Sequence, residues 1–281
     1  MAEIDNIEQV KKVQAIALNL YRKFAEICEE NGLVHYFTGG ALIGVKRHKG
    51  FIPWDDDIDI VMPRKDFDRF QRIAKNYLSE GYGVCDRWTD KSWHFAFLQF
   101  MDLKSEIEIN LAEIPRKSSV WLDIYPIDGV PNGKWRRKLY IWYILLHRYL
   151  IQAAHIKTQS DAIRQRGAIE RLLIALSKKL PMNKIINTDK VLNHMENTLR
   201  KYDMLKCRLS GNLLGRYRER ELVPTIFWGE PRNEKFEDGY VKTPHNGRGI
   251  LKMIYGDFMK MPPKELQVAH RVRILKSRDS E

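Results

Sequence analysis

Apolar residues change period several times along this chain, and each change marks an element. Ile7, Val10, Val13, Ala17, Leu20, Phe24 and Ile27 recur at helical spacing and predict an amphipathic helix over 6–31, which Asn31-Gly32 ends. Leu33 to Phe37 reads as a short apolar strand, and Gly39-Gly40 turns it into a short helix over Ala41 to Arg47. A loop containing Pro53 covers 48–56, then Ile58 to Met62 forms a strand that Pro63 closes. Arg64 to Ser79 is a second amphipathic helix on Phe67, Phe70, Ile73, Ala74 and Tyr77. Further strands are expected at 82–86, 94–103, 106–112 and 120–125, before turn signals at Asp128-Gly129 and Pro131-Asn132-Gly133. Helical patterns dominate from 134 to about 205. Residues 228–244 read as turns with one hairpin, and Gly249 to Tyr255 as a helix followed by a rigid piece at Pro262-Pro263.

This is the pattern of an α/β (α+β) protein with a mixed first half and a mostly helical second half. The expected organisation is a core over 1–130 with 131–281 packed on it as a helical elaboration and C-terminal block, or one single domain.

Composition narrows the class. A hydrophobic fraction of 44% over 281 residues excludes a disordered chain. Cys28, Cys85 and Cys207 lie far apart without a CxxC pair, which argues against a zinc site or a disulfide framework and for a reducing, cytoplasmic setting. The N-terminal MAEIDNIEQVKK carries acids and lacks the apolar run of a signal peptide. The longest apolar window, Leu139 to Leu146, is too short to span a bilayer. A net charge of +12 favours anionic partners such as nucleotides, phosphorylated glycans, nucleic acid or an acidic membrane face, and is equally explained by a solvated basic surface.

The candidate chemistry lies in FTGGALIGVKRHKGFIPWDDDIDIVM, from Phe37 to Met62. Side chains two apart on a strand share a face, so Asp57 and Asp59 face one way and Ile58, Ile60 and Met62 the other. Paired carboxylates repel unless a cation sits between them, and a hard ion such as Mg²⁺ (or Mn²⁺) suits oxygen ligands while leaving room for phosphates. Asp55 lies two residues earlier and adds a ligand if the strand reaches that far. A solvated acidic turn explains the same residues. An EF-hand is a poor fit, because Ile60 stands where its loop needs glycine. Thr38-Gly39-Gly40, between a strand and a helix, presents backbone N–H groups to an anion, or is an ordinary tight turn. Arg47, His48 and Lys49 supply charge-assisted hydrogen bonds to phosphate, or simply cap a helix C-terminus.

A double glycine, then DxD on the next strand, resembles the nucleotidyltransferase (polymerase-β-like) superfamily, whose pattern includes a third carboxylate on a later strand. Asp123 in VWLDIYPIDG fits that place. More narrowly, GALIGVKRHKGFIPWDDDIDIVMPRKDF resembles the LicD family, bacterial phosphocholine transferases related to fukutin and fukutin-related protein. WLDIYPIDG is similar to that family's second block, and YGDFMKMPP with His270 downstream to its C-terminal block. The likeness is weak over roughly 134–220. It implies a mixed-sheet nucleotidyltransferase core and metal ligation by Asp57, Asp59 and Asp123, with Asp55 the preceding acid. It implies a phosphate-side turn at Gly39 and Gly40, a basic pair at Arg47 and His48, and site-lining roles for Asp257 and His270. Many members carry a lysine on the strand where this chain has Gln99, which bears on donor preference.

The expected activity is metal-dependent transfer of a phospho-alcohol from a nucleotide-linked donor, CDP-choline or another CDP-alcohol. The expected acceptor is a sugar hydroxyl of a cell-surface glycan such as teichoic acid, lipopolysaccharide or capsule, free or lipid-linked. Asp123 is the candidate general base, or purely a ligand. Two other readings compete: a nucleotidyltransferase releasing pyrophosphate, and a non-catalytic basic nucleic-acid-binding protein, against which the clustered acids argue. Residues 129–160 contain no Asp or Glu and mix Lys134, Arg136, Arg137 and Lys138 with Trp135 and Trp142. That segment suits docking on the anionic inner face of the membrane, or a core helix with a basic end.

Overall fold

A computed structural model describes residues 2–109, 116–155, 185–267 and 272–277. Among these the chain forms six helices and one main curled sheet. Helix α1 (Ala2–Glu30) leads through β1 (Tyr36–Phe37) into α2 (Gly39–Arg47) and β2 (Asp59–Pro63). Helix α3 (Arg64–Ile73) starts directly after Pro63, whose fixed φ of −48° ends the strand and opens the helix. It runs into a 3₁₀ turn, Ala74–Glu80, where one continuous helix was expected to Ser79. Strands β3 (Tyr82–Cys85), β4 (Leu98–Ile109) and β5 (Arg116–Gly129) follow.

The main path of the sheet is β1-β2-β5-β4-β10, with β3 also on β4. Strands β2 and β5 run parallel; the other neighbours on this path are antiparallel. The two strands expected at 94–103 and 106–112 are one bent strand, with a register shift between Asp102 and Ile107. Ser105 Oγ holds the bend, donating to Asp102 O at 2.7 Å and accepting from Val120 N at 2.9 Å.

One face of the sheet is the core. Ile58, Ile60, Met62, Leu98, Phe100, Leu122 and Ile124 bury there against Phe24 and Ile27 of α1 and Phe67 and Phe70 of α3. The alternation from Asp57 to Met62 therefore sorts as its period requires.

After β5 come α4 (Lys134–His155), α5 (Thr188–Leu199), β6 (Leu209–Gly211), β7 (Leu222–Pro224), the hairpin β8 (Arg232–Phe236) and β9 (Gly239–Thr243), α6 (Gly247–Tyr255) and β10 (Val272–Lys276). Alongside its helices, this half thus carries the hairpin expected within 228–244, as β8 and β9, and three short strands, β6, β7 and β10, that the apolar periodicity did not reveal. Three-residue strands such as β6 and β7 are too short to display a period. β6 extends β5 and β10 pairs with β4, so the late chain returns to the sheet its beginning builds. Ile250 and Ile254 of α6 pack with Tyr36, Val61 and Ile127 on the face opposite α1. No helix among the described residues is long and apolar enough to cross a membrane.

Candidate active site

The parallel β2–β5 pair brings distant acids together. Its register sets Asp59 beside Asp123, and Asp123 N donates to Ile58 O at 3.2 Å. Asp57, Asp59 and Asp123 each offer a carboxylate oxygen, and these oxygens lie within 4.8 Å of one another. All three residues are half-buried. On the neighbouring strand β4, Gln99 faces Asp123 in register, and its Nε2 donates to Asp123 Oδ1 at 2.9 Å.

The glycines answer to the same carboxylates. Gly39 sits at φ +56°, and a Cβ there would lie 2.5 Å from Asp59 Oδ2. A Cβ on Gly40 would collide with Asp55 Oδ2. The start of α2 is thus packed against two acids, and only residues without side chains allow the approach. Thr38 caps that helix in extended conformation and donates its N–H to Asp59 O at 3.0 Å. The acidic loop is pinned from behind by Gln14 of α1, whose Nε2 donates to Asp55 O at 2.7 Å.

The basic cluster lies at the other end of α2, about 12 Å along the axis at 1.5 Å per residue. Arg47 donates through Nη1 to Phe258 O at 3.1 Å and through Nε to His48 Nε2 at 2.9 Å. Burial, then the Arg47 charge, depresses the His48 pKa. Lys49 is exposed at φ +60°, its carbonyl accepting from Glu237 N at 2.7 Å. Asp257 is exposed; His270 lies outside the described residues.

Two further groups approach the acids that sequence reasoning did not single out. Tyr125 follows Asp123 by two on the same strand face, so alternation could have found it. Burial and then the charges of Asp123, Asp59 and Asp57 push its phenol upward. Glu221, from the turn before β7, adds charge at Asp59. Its Oε1 accepts from Tyr217 N at 2.8 Å, and no sequence signal marks it.

The electrostatics of the cluster suit a cation site. Burial, then Asp57 and Asp123, raises the Asp59 carboxyl well above the usual carboxylate range. Burial lifts Asp123 to about 7, against the opposing Gln99 hydrogen bond, with Asp57 adding to the rise. Burial likewise lifts Glu221 to about 7. Three facing carboxylates at this spacing repel one another without a counter-charge. Their hard oxygens and partial solvent access fit a small divalent ion that keeps part of its shell for other ligands.

Residues 32–142 match the family described as LicD/FKTN/FKRP, nucleotidyltransferase domain. Most of the chain is similar to the lipopolysaccharide cholinephosphotransferase LicD of Haemophilus influenzae, at 27% identity over 274 residues, covering 94% of this chain and 96% of that protein. Shorter stretches are similar to uncharacterised proteins of Rickettsia prowazekii, 36% identical over 83 residues (27% of this chain, 31% of that protein), and of Rickettsia typhi, 35% identical over 71 residues (24% and 23%).

Proposed function

We propose that this chain, which carries a LicD-type nucleotidyltransferase domain over residues 32–142, transfers phosphocholine from CDP-choline to a sugar hydroxyl of a surface glycan such as lipopolysaccharide. The observation that carries this reading is the convergence of Asp57, Asp59 and Asp123 from two parallel strands. These three would hold the divalent ion, Mg²⁺ or Mn²⁺, with Asp55 close by. When bound, that ion supplies positive charge against the donor pyrophosphate.

The chain's own groups do the rest. Gln99 fixes the rotation of the Asp123 carboxylate through the 2.9 Å hydrogen bond. The free N–H groups at the start of α2 present a positive end to donor phosphate at Gly39 and Gly40. In the transfer, the acceptor oxygen bonds to the phosphorus bearing choline, and the bond from that phosphorus to the CMP oxygen breaks. The hydroxyl proton leaves to a carboxylate, for which Asp123 is the candidate; CMP is the leaving group. On this reading Arg47 also ties α2 to the C-terminal block through the Phe258 carbonyl, and His48 accepts from Arg47 Nε.

The test is product analysis with CDP-choline and a lipopolysaccharide acceptor. Release of CMP with choline on the glycan is expected; release of pyrophosphate would assign nucleotidyl transfer instead. Asp57→Asn and Asp59→Asn should each lower turnover at least about a hundredfold with the melting transition retained. Normal turnover in either variant would refute the metal assignment.

A further inference from the structure

Helix α4 has two apolar faces where one would suffice. Tyr140, Ile141, Ile144 and Ile151 are buried against Leu192, Met195 and Leu199 of α5. Opposite them Trp135, Leu139 and Trp142, spaced i, i+4, i+7, stand 73%, 69% and 64% exposed. Exposed Lys134, Arg136 and Lys138 flank this stripe, and no acid occurs between 129 and 160. Lys138 Nζ stands 5.4 Å from the Trp135 ring centre, leaving the charge at the rim of the apolar surface. A second apolar tip lies at the base of the helix. Leu205 is 79% exposed, on a turn tied to the residues just before α4, where Asn132 Nδ2 donates to Lys206 O at 3.4 Å and Arg208 N donates to Asn132 Oδ1 at 2.7 Å.

We propose that this outward face of α4 docks the protein on an anionic lipid bilayer. Leaving three large side chains in water is unfavourable unless something covers them. A second copy is a poor cover. A two-fold contact here would oppose Lys134, Arg136 and Lys138 to themselves, and the three side chains offer about 400 Å², against about 800 Å² per partner in a stable interface. A bilayer has no such requirement: it conforms to a convex helix, takes tryptophan at the headgroup level and attracts the basic flank. The inference does not depend on the transfer reaction.

Co-sedimentation of the full chain with vesicles tests it. Binding is expected to phosphatidylcholine vesicles containing phosphatidylglycerol, weakening as salt rises, and to be much weaker with phosphatidylcholine alone. Replacing Trp135, Leu139 and Trp142 together by Ala should lower binding by more than about tenfold, while circular dichroism shows an unchanged fold. Replacing Lys134, Arg136 and Lys138 by Gln should remove the preference for the anionic lipid. Wild-type protein that fails to bind anionic vesicles would overturn the proposal. So would an apolar variant that binds them as well as wild type, or one that merely converts a dimer to a monomer on gel filtration.

Discussion

Gly39 and Gly40 show how one residue can answer two demands. A double glycine before a helix reads as a phosphate turn, and here each glycine also makes room for a carboxylate, Asp59 beside Gly39 and Asp55 beside Gly40. At φ +56° Gly39 also occupies backbone space in which a side chain is strained. Gly39→Ala should therefore cost about 1 kcal/mol in backbone strain and push Asp59 off the triad. The expected outcome is a loss of at least about tenfold in transfer rate and weaker metal binding by calorimetry, larger than any fall in melting temperature suggests. Asp57 and Asp59 were read at this scale, because a strand's two-residue period tells which side chains share a face, and the same rule reaches Tyr125, which went unread. Glu221 was not, because nothing near it in the chain announces the neighbours it acquires.

At the scale of elements, α2 connects two regions. Its first turn meets the acids, and its last turn carries Arg47, tied to the C-terminal block through Phe258 O and Lys260 O at 3.1 and 3.4 Å. The returning loop is clamped by the β8–β9 turn, where Glu237 Oε1 accepts from Phe51 N at 2.9 Å. Arg47→Ala should release residues 257–263, read as faster limited proteolysis there. Metal affinity should stay within about twofold, because the substitution lies about 12 Å along the helix from Gly39. A raised KM for the donor with no change in proteolysis would return Arg47 to the phosphate. The helices were readable because their apolar stripes repeat over several turns. Strands β6, β7 and β10 were not, since a three- to five-residue strand gains its identity from the strand beside it.

Across the whole molecule, the raised acids make stability depend on pH and metal. A carboxyl whose folded pKa lies above its unfolded value stabilises the fold below the unfolded value, and that contribution is lost as pH rises through the folded one. For Asp123 the window runs from 3.8 to about 7. Buried His35, depressed to about 3 from 6.5, has the opposite slope, so the informative quantity is a difference between variants. In EDTA, Asp123→Asn should melt above wild type, and the gap should widen as pH rises from 3.8 to about 7. Saturating Mg²⁺ should close it, since only wild type regains the compensating charge. A gap independent of pH and of Mg²⁺ would contradict a repulsive carboxylate cluster.

By itself the sequence determined the local pattern: which helices are amphipathic, where Pro63 ends a strand, and that Asp57 and Asp59 point away from Ile58 and Ile60. Those follow from periods of two and 3.6, properties of a few adjacent residues. Only the tertiary structure decided that β2 lies parallel to β5 with Asp59 beside Asp123, that Gln99 holds that carboxylate, and that α4 leaves a tryptophan-bearing face uncovered. Those depend on which segments meet across long stretches of chain, and that is settled by burying the apolar face of the whole sheet at once.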